Sequence, residues 1–414
     1  MTMSPRLLRS GDLASVLPPG GMALVSSCSA ESDLLADEVA SAGSALGDID
    51  VAGIFVPGLN RQNWAAGPAS RVTTFFQTPE LRAGGASVRF LPLCYQDILA
   101  LVRRERPQAA LFMCAPPDAE GNCSFGTEVA LIAALWREIP VRIAHINPAM
   151  PRTLGDPGIP FAELTGFYEG TQVLRGTPKP AGDRVSALIA DKIASLIPDG
   201  ATLQTGLGKI PDAVLGELAG HRGLRLHSGL AGDGALSLVR SGAMESGATA
   251  LVGVAIGSPQ LYANLDDPHF QFRPVTVTHD PATLAAIERL VTINSAMAVD
   301  LFGQVYAEAS SRGFQSGPGG ASDYARGARA STGGLRIIAL PSAAGPTSRI
   351  VAPVNAHGPV SLSRFDVDVV VTEHGIADLR GKMHSERAVA LIAIASPDHR
   401  EALERAWHTI AAQI

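Results

Sequence analysis

The chain alternates. Short apolar runs rich in β-branched and aromatic residues end at Gly or Pro, and stretches with apolar residues at i, i+3, i+4 and i+7 follow them. The first instance is 21–40, GMALVSSCSAESDLLADEVA, which predicts strand, turn and helix with Ser29 or Ser32 as the cap. AGIFVPGL (52–59), AALFMCAPPD (109–118) and IPVRIAHINPAMP (139–151) predict further strands, each running into proline. TQVLRGTPKPAGDR (171–184) has two prolines, two glycines and mixed charge, the composition of a linker. The alternation then restarts. VSALIADKIASLI (185–197) predicts a helix, and ATLQTGLGKIPDAVLGEL (201–218) predicts strand, glycine loop and helix. LRIIALPSAA (335–344) and DVDVVVTEHG (366–375) predict strands, and 383–414 predicts helix broken near Pro397. HFQFRPVTVTHD (269–280) predicts a strand through Phe270, Phe272, Val275 and Val277, interrupted at Arg273-Pro274. The expected fold class is α/β: two similar open α/β domains with mainly parallel sheets, over 1–175 and 185–414.

Bulk composition narrows the setting. At 414 residues the chain exceeds one ordinary hydrophobic core, in keeping with two domains. A net charge of −6 argues against a nucleic-acid partner, which requires a basic face. The apolar runs VALIAALW (129–136) and VALIAIA (389–395) are too short to span a membrane. The start, MTMSPRLLRSGDLASVL, does not read as a signal peptide. Four irregularly spaced cysteines, Cys28, Cys94, Cys114 and Cys123, supply neither a disulfide framework nor a zinc site. A reducing, cytoplasmic setting is expected, with no metal and no membrane.

Five stretches carry candidate chemistry. QTGLGKIPDAV (204–214) sets Gly206 and Gly208 between strand and helix, where bare amides meet a phosphate or oxyanion. A tight turn without ligand is the plain alternative. The third glycine of a dinucleotide fingerprint is absent, and Lys209 lacks the P-loop context. GFQSGPGGASDYARGA (313–328) groups Gly317, Gly319 and Gly320 around Pro318, with Asp323 and Arg326 beyond, in a loop suited to an oxyanion or a pantetheine chain. CAPPDAEGNCSFGTE (114–128) offers Asp118 and Glu120 as acids or as a structural corner. HSGLAGDGAL (227–236) and VTEHGIADLRG (371–381) add His227, Asp233, Glu373 and His374.

In order and spacing these stretches resemble the acetyl-CoA hydrolase/transferase family, which includes 4-hydroxybutyrate and butyryl-CoA:acetate CoA-transferases. The resemblance covers nearly the whole chain and rests also on INPAMPRTLGD (146–156), INSAMAVDLFGQVYAE (293–308), VVVTEHGIADLRGK and IAIASPDHREAL. It implies an active-site cleft between two α/β domains, and coenzyme A as a substrate with no permanently bound cofactor. It also implies a homodimer, and acyl-CoA and a small carboxylic acid as partners. In such enzymes a glutamate carboxylate attacks the acyl-CoA, and CoA then passes through a glutamyl thioester to a second acid. Gly206, Gly208, Gly317, Gly319 and Gly320 would approach CoA and the acyl group, and Ser316 stands where relatives often carry Asn.

The departures are as informative. The Arg-Pro anchor aligns the family's catalytic glutamate with Gln271, an amide of similar shape that does not readily form an anhydride. Ala298 replaces a glutamate, HSG (227–229) replaces His-Thr-Glu, and Tyr306 stands where relatives tend to have Asn. Three readings follow: a glutamine-trapped transferase, a divergent transferase or acyl-CoA hydrolase using another acid, or a non-catalytic acyl-CoA binder. Glu31, Glu308 and Glu373 are the candidate replacement acids. Sugar-phosphate isomerisation on a similar fold is a more distant reading, with only Lys209 to hint at a phosphate cradle. Phe270, Phe272, Tyr306 and Phe314 favour an apolar or aromatic acyl chain.

Overall fold

The structure, a computed structural model, describes residues 4–83, 87–178, 181–310 and 313–413. Lys179 and Pro180 of the expected linker lie outside the described residues, as do Met1–Met3 and Ile414. The chain divides into two compact units. The first comprises Met1–Pro178, Gly229–Ala231 and Ala250–Asp280; the second comprises Lys179–Ser228, Gly232–Thr249 and Pro281–Ile414. The division expected from sequence, 1–175 and 185–414, therefore differs in two segments, 229–231 and 250–280, which fall in the first unit. Residues 250–280 pack with the first unit, because backbone pairing ties them there: Val129 N–H donates to Gly253 O (3.0 Å) and Ala255 N–H to Thr127 O (2.8 Å).

Eight strands form the sheet of the first unit: β1 (Arg6–Leu7), β2 (Met22–Val25), β3 (Asp50–Gly53), β4 (Arg71–Thr74), β5 (Ser87–Phe90), β6 (Ala109–Cys114), β7 (Val141–Ile146) and β8 (Gly166–Glu169). Their order is β1-β8-β7-β6-β2-β3-β4-β5 and every pairing is parallel. The chain winds outward from β2 to β5, then returns to the other side of β2 with β6. β2 and β6 are thus neighbours at the point where the winding reverses, the position at which open α/β sheets receive ligands at their carboxyl ends. Leu24, Val51, Val72, Leu111 and Ile143 are sealed inside, as continuous apolar runs in parallel strands require. Ser32 caps the helix Asp33–Ala42 by accepting from Leu35 N–H (3.0 Å), which decides between the two expected caps. The strand expected over 52–59 stops at Gly53; the segment beyond, with Pro57 lacking a donor, is loop.

The later strands are β9 (Thr202–Thr205), β10 (Arg225–Ala231), β11 (Ala250–Ala255), β12 (Phe270–Phe272), β13 (Leu290–Ser295), β14 (Leu335–Ala339), β15 (Val369–Thr372) and β16 (Gly375–Asp378). In the second unit the order runs β10-β9-β13-β14-β15-β16, parallel except for the last pair. Its winding reverses between β9 and β13. β11 and β12 belong to the first unit, where they pair in parallel with Leu251 opposite Gln271. The strand expected to continue through Val275 and Val277 ends instead at Phe272. Pro274 supplies no ladder donor and caps a single helical turn, Val275–Thr278. Pro397 likewise opens a new helix, Pro397–Ala411, after His384–Ile394. No helix among the described residues is long and apolar enough to cross a membrane.

Candidate functional site

Each winding reversal holds a constellation of polar groups. In the second unit, β9 leads into Gly206 and Gly208, and Gly208 has φ +127°, a conformation that L side chains rarely adopt. Gly208 caps the helix Lys209–Glu217, so the first free N–H groups of that helix lie at the carboxyl end of the sheet. Beneath them, Gln204 of β9 and Asn294 of β13 exchange amide hydrogen bonds of 3.0 and 3.3 Å across the reversal. The second glycine loop precedes the helix Ala321–Ala330, which runs back along the sheet before β14. A helix feeding a parallel strand starts at the carboxyl end of the sheet, so Gly317, Gly319 and Gly320 reach the same end as Gly206 and Gly208. Gly319 has φ +58°. Ser316 is tied to this loop by its own N–H, which donates to Glu308 O (3.2 Å) beside that of Gln315 (2.8 Å).

Gln271 lies in the first unit, on β12, half-buried, with its Nε2 donating to Pro268 O (3.3 Å). The 146–156 motif holds this strand in place. Phe272 N–H donates to Leu154 O (2.7 Å), and Arg273 Nη1 donates to Gly155 O (2.7 Å). Phe270 and Phe272 are 0% exposed and belong to the core, so they do not line an acyl pocket as expected.

The candidate acids separate by what their oxygens already hold. Glu31 accepts from Arg61 N–H (2.9 Å), Gln62 N–H (3.3 Å) and Arg175 Nε (3.1 Å). Burial pushes its carboxyl up, opposed by those donors. Glu373 accepts from both the N–H (2.8 Å) and the hydroxyl (2.6 Å) of Ser342. Glu308 differs: Ser361 Oγ donates to its Oε1 (2.8 Å), while Oε2 is buried with no partner among the described residues. Burial raises its pKa. Asp118 proves to be a corner. Its carboxylate receives Asn122 N–H (2.7 Å), Glu120 N–H (3.1 Å) and Arg152 Nη1 (2.9 Å), and the Asn122 bond leads in holding its pKa low. Tyr306 spends its hydroxyl on Asp300 (3.1 Å).

Sequence reading missed the reversal in the first unit. There β2 runs into Ser26–Glu31, a wholly buried segment with a 3-10 turn at Cys28–Ala30, in which Cys28 has φ +47°, a strained conformation for a residue with a side chain. Ser27 N–H donates to Glu128 Oε2 (3.2 Å). Burial lifts the Glu128 carboxyl to about 8, and burial also raises the Cys28 thiol well above its usual range. Cys28 is therefore a thiol rather than a nucleophilic thiolate. A mostly apolar cavity of about 650 Å³, lined in part by Pro151, Leu174, Gly257 and Tyr262, lies nearby. Leu174 packs on Ala30, Met113 and Ala115 of the strand ends, and the Tyr262 hydroxyl donates to Arg175 O (2.6 Å). The local signals for this site were the small-residue run SSCSAES after an apolar strand, with Glu31 in it, and the stretch 114–128 that ends at Glu128.

The acetyl-CoA hydrolase/transferase C-terminal domain matches residues 257–407. The 4-hydroxybutyrate coenzyme A transferase of Clostridium kluyveri is 37% identical over 325 residues, 76% of each chain. A succinyl-CoA:acetate/propanoyl-CoA:succinate CoA transferase of Fasciola hepatica is 37% identical over 333 residues, 77% of this chain and 69% of that one. Among solved structures, the 4-hydroxybutyrate CoA-transferase of Porphyromonas gingivalis superposes with a TM-score of 0.81 at 30% identity, covering 99% of this chain and 98% of that one. RipA from Yersinia pestis superposes at 0.89 and 28% identity, covering 98% of each.

Proposed function

This chain belongs to the acetyl-CoA hydrolase/transferase family, and from that premise we propose that it moves CoA between small carboxylic acids. One observation carries transfer over hydrolysis. The transferase of Clostridium kluyveri matches 76% of its own length at 37% identity, whereas the acetyl-CoA hydrolase of Eremothecium gossypii matches 55% of its length at 31%. In this reading a carboxylate oxygen attacks the thioester carbonyl and expels the CoA thiolate, leaving a mixed anhydride. The thiolate then attacks the enzyme's own acyl carbon and frees the first acid. The incoming acid's carboxylate displaces CoA to form a second anhydride, and CoA returns to the new acyl carbon, regenerating the enzyme carboxylate. The glycine-loop amides of Gly206, Gly208, Gly317, Gly319 and Gly320 hold the developing oxyanions and the pantetheine arm, with Ser316 beside them. Gln271 occupies the family's glutamate position and does not carry the acyl group. Glu308, the candidate acid with a vacant carboxyl oxygen, takes that role. A cytoplasmic homodimer is part of the same reading; four free, buried thiols accord with a reducing compartment.

The test mixes the chain with a panel of acyl-CoAs and free carboxylates and follows exchange by mass spectrometry, with Gln271→Glu run beside it. Borohydride reduction of the glutamyl thioester then marks the acid that carried CoA. The expected outcome is exchange by the chain as it stands, with the label on Glu308 and no exchange by Glu308→Gln. Exchange by Gln271→Glu alone would leave the natural chain as an acyl-CoA binder, and CoA released without an acceptor would make it a hydrolase.

A further inference from the structure

Glu128 has no part in the chemistry above, yet it is placed as a ligand-contacting group is placed. It lies beside the ends of β2 and β6, where the winding of the first sheet reverses. The loop that meets it is immobilised. Ile54 N–H donates to Ser27 Oγ (3.1 Å), Asn60 Nδ2 donates to Cys28 O (3.0 Å), and Cys28 is held at φ +47°. One carboxyl oxygen, Oε2, takes the Ser27 N–H; Oε1 takes part in no hydrogen bond among the described residues. Its neighbour Glu31, by contrast, has both oxygens occupied. Glu128 is also not a displaced copy of the missing glutamate. It bridges Val254 on β11, whereas Gln271 pairs with Leu251 on the same strand. Positions three apart on a strand face opposite sides of the sheet, so the two side chains do not share a face.

We propose that Glu128 contacts the acid substrate directly, its Oε1 hydroxyl donating to an oxygen of a small carboxylate seated at the ends of β2 and β6. The class of ligand rests on the transferase reading; the contact itself rests on the geometry. The carboxyl is a donor at neutral pH because burial keeps it protonated up to about pH 8. A carboxylic acid paired with a carboxylate also avoids placing two like charges in one buried site. The titratable groups around it are few. Cys28, a thiol, and Glu31, paired to Arg175, come from the β2 loop. β11 and the helix Ala130–Leu135 contribute no charged side chain.

The experiment measures KM for the acceptor carboxylate and for acyl-CoA between pH 6.5 and 9, in the natural chain, Glu128→Gln and Glu128→Ala. Glu128→Ala is expected to raise the carboxylate KM about tenfold, the value of one hydrogen bond to a charged group, and to leave the acyl-CoA KM unchanged. In the natural chain the carboxylate KM climbs above pH 8 as the donor proton is lost. Glu128→Gln, isosteric and still a donor, removes that climb and binds nearly as well at pH 7. Equal carboxylate KM values in all three proteins, or an unchanged climb in Glu128→Gln, would overturn the proposal. If the natural chain exchanges no acyl-CoA, the transferase reading fails, and calorimetry with butyrate then reads the contact alone. Binding lost in Glu128→Ala and kept in Glu128→Gln supports it; binding equal in all three, or butyrate heat absent from the natural chain, overturns it.

Discussion

At the scale of single residues, Glu128 makes stability depend on pH in an unusual direction. An ordinary carboxyl loses protons near pH 4.5, but this one holds its proton up to about 8 when folded. The native state therefore binds more protons than the unfolded chain between those values, and stability falls as pH rises through that window. The full loss is roughly 5 kcal/mol by the time pH reaches 8, at about 1.4 kcal/mol per pH unit. Glu128→Gln has no proton to lose. Urea titrations at pH 5.5 and 8.5 should show the natural chain losing more stability over this interval than the variant; equal losses would mean that Glu128 is ionised in the fold. Glu128 closes the stretch 114–128, but nothing in the sequence set it above Asp118 and Glu120. Its isolation is produced by the pairing of 127–129 with 253–255, segments far apart along the chain. The glycine loops were legible because their constraint is local: a positive φ at Gly208 or Gly319 is written in the residue type.

At the scale of elements, the 146–156 motif positions β12. Gly155 has φ +104°, and a Cβ there would lie 2.6 Å from Phe272 O and 2.8 Å from Phe272 N. Gly155→Ala must push β12 away and break the Leu154–Phe272 hydrogen bond, at a cost of about 2–4 kcal/mol. Gly11→Ala is the control. Its φ of +85° is also glycine-like, but nothing lies within 4 Å of the new methyl group. Thermal melts should separate the two, with Gly155→Ala lower by several degrees and impaired in any activity that uses β12. The same element shows where periodicity misled. Phe270, Phe272, Val275 and Val277 alternate like one strand, yet Pro274 breaks the ladder and the two valines fall on a helical turn. Most strands and helices were legible from their apolar spacing, while strand order was not, and strand order is what places the two reversal sites.

At the scale of the whole molecule, the chain path matters more than the linker. The first unit is not one stretch of sequence, since β11 and β12 arrive only after 179–228 and 232–249 of the second unit. A fragment ending at Pro178 lacks the strand that pairs with 127–129. It should be poorly folded alone, with broad melting and aggregation by size-exclusion chromatography, and fusing 250–280 to its end should restore cooperativity. A fragment that melts sharply on its own would show those strands to be dispensable. The same path has a consequence for synthesis. About a hundred residues separate Pro178 from Asp280, which takes on the order of 5–20 s at 5–20 residues per second on a ribosome. Throughout that interval every nascent chain leaves unpaired the 127–129 backbone that 253–255 will later bind. The protein is thus open to chaperones, or to pairing with a neighbouring nascent copy, at a stage when all eight strands of its amino-terminal sheet have been made.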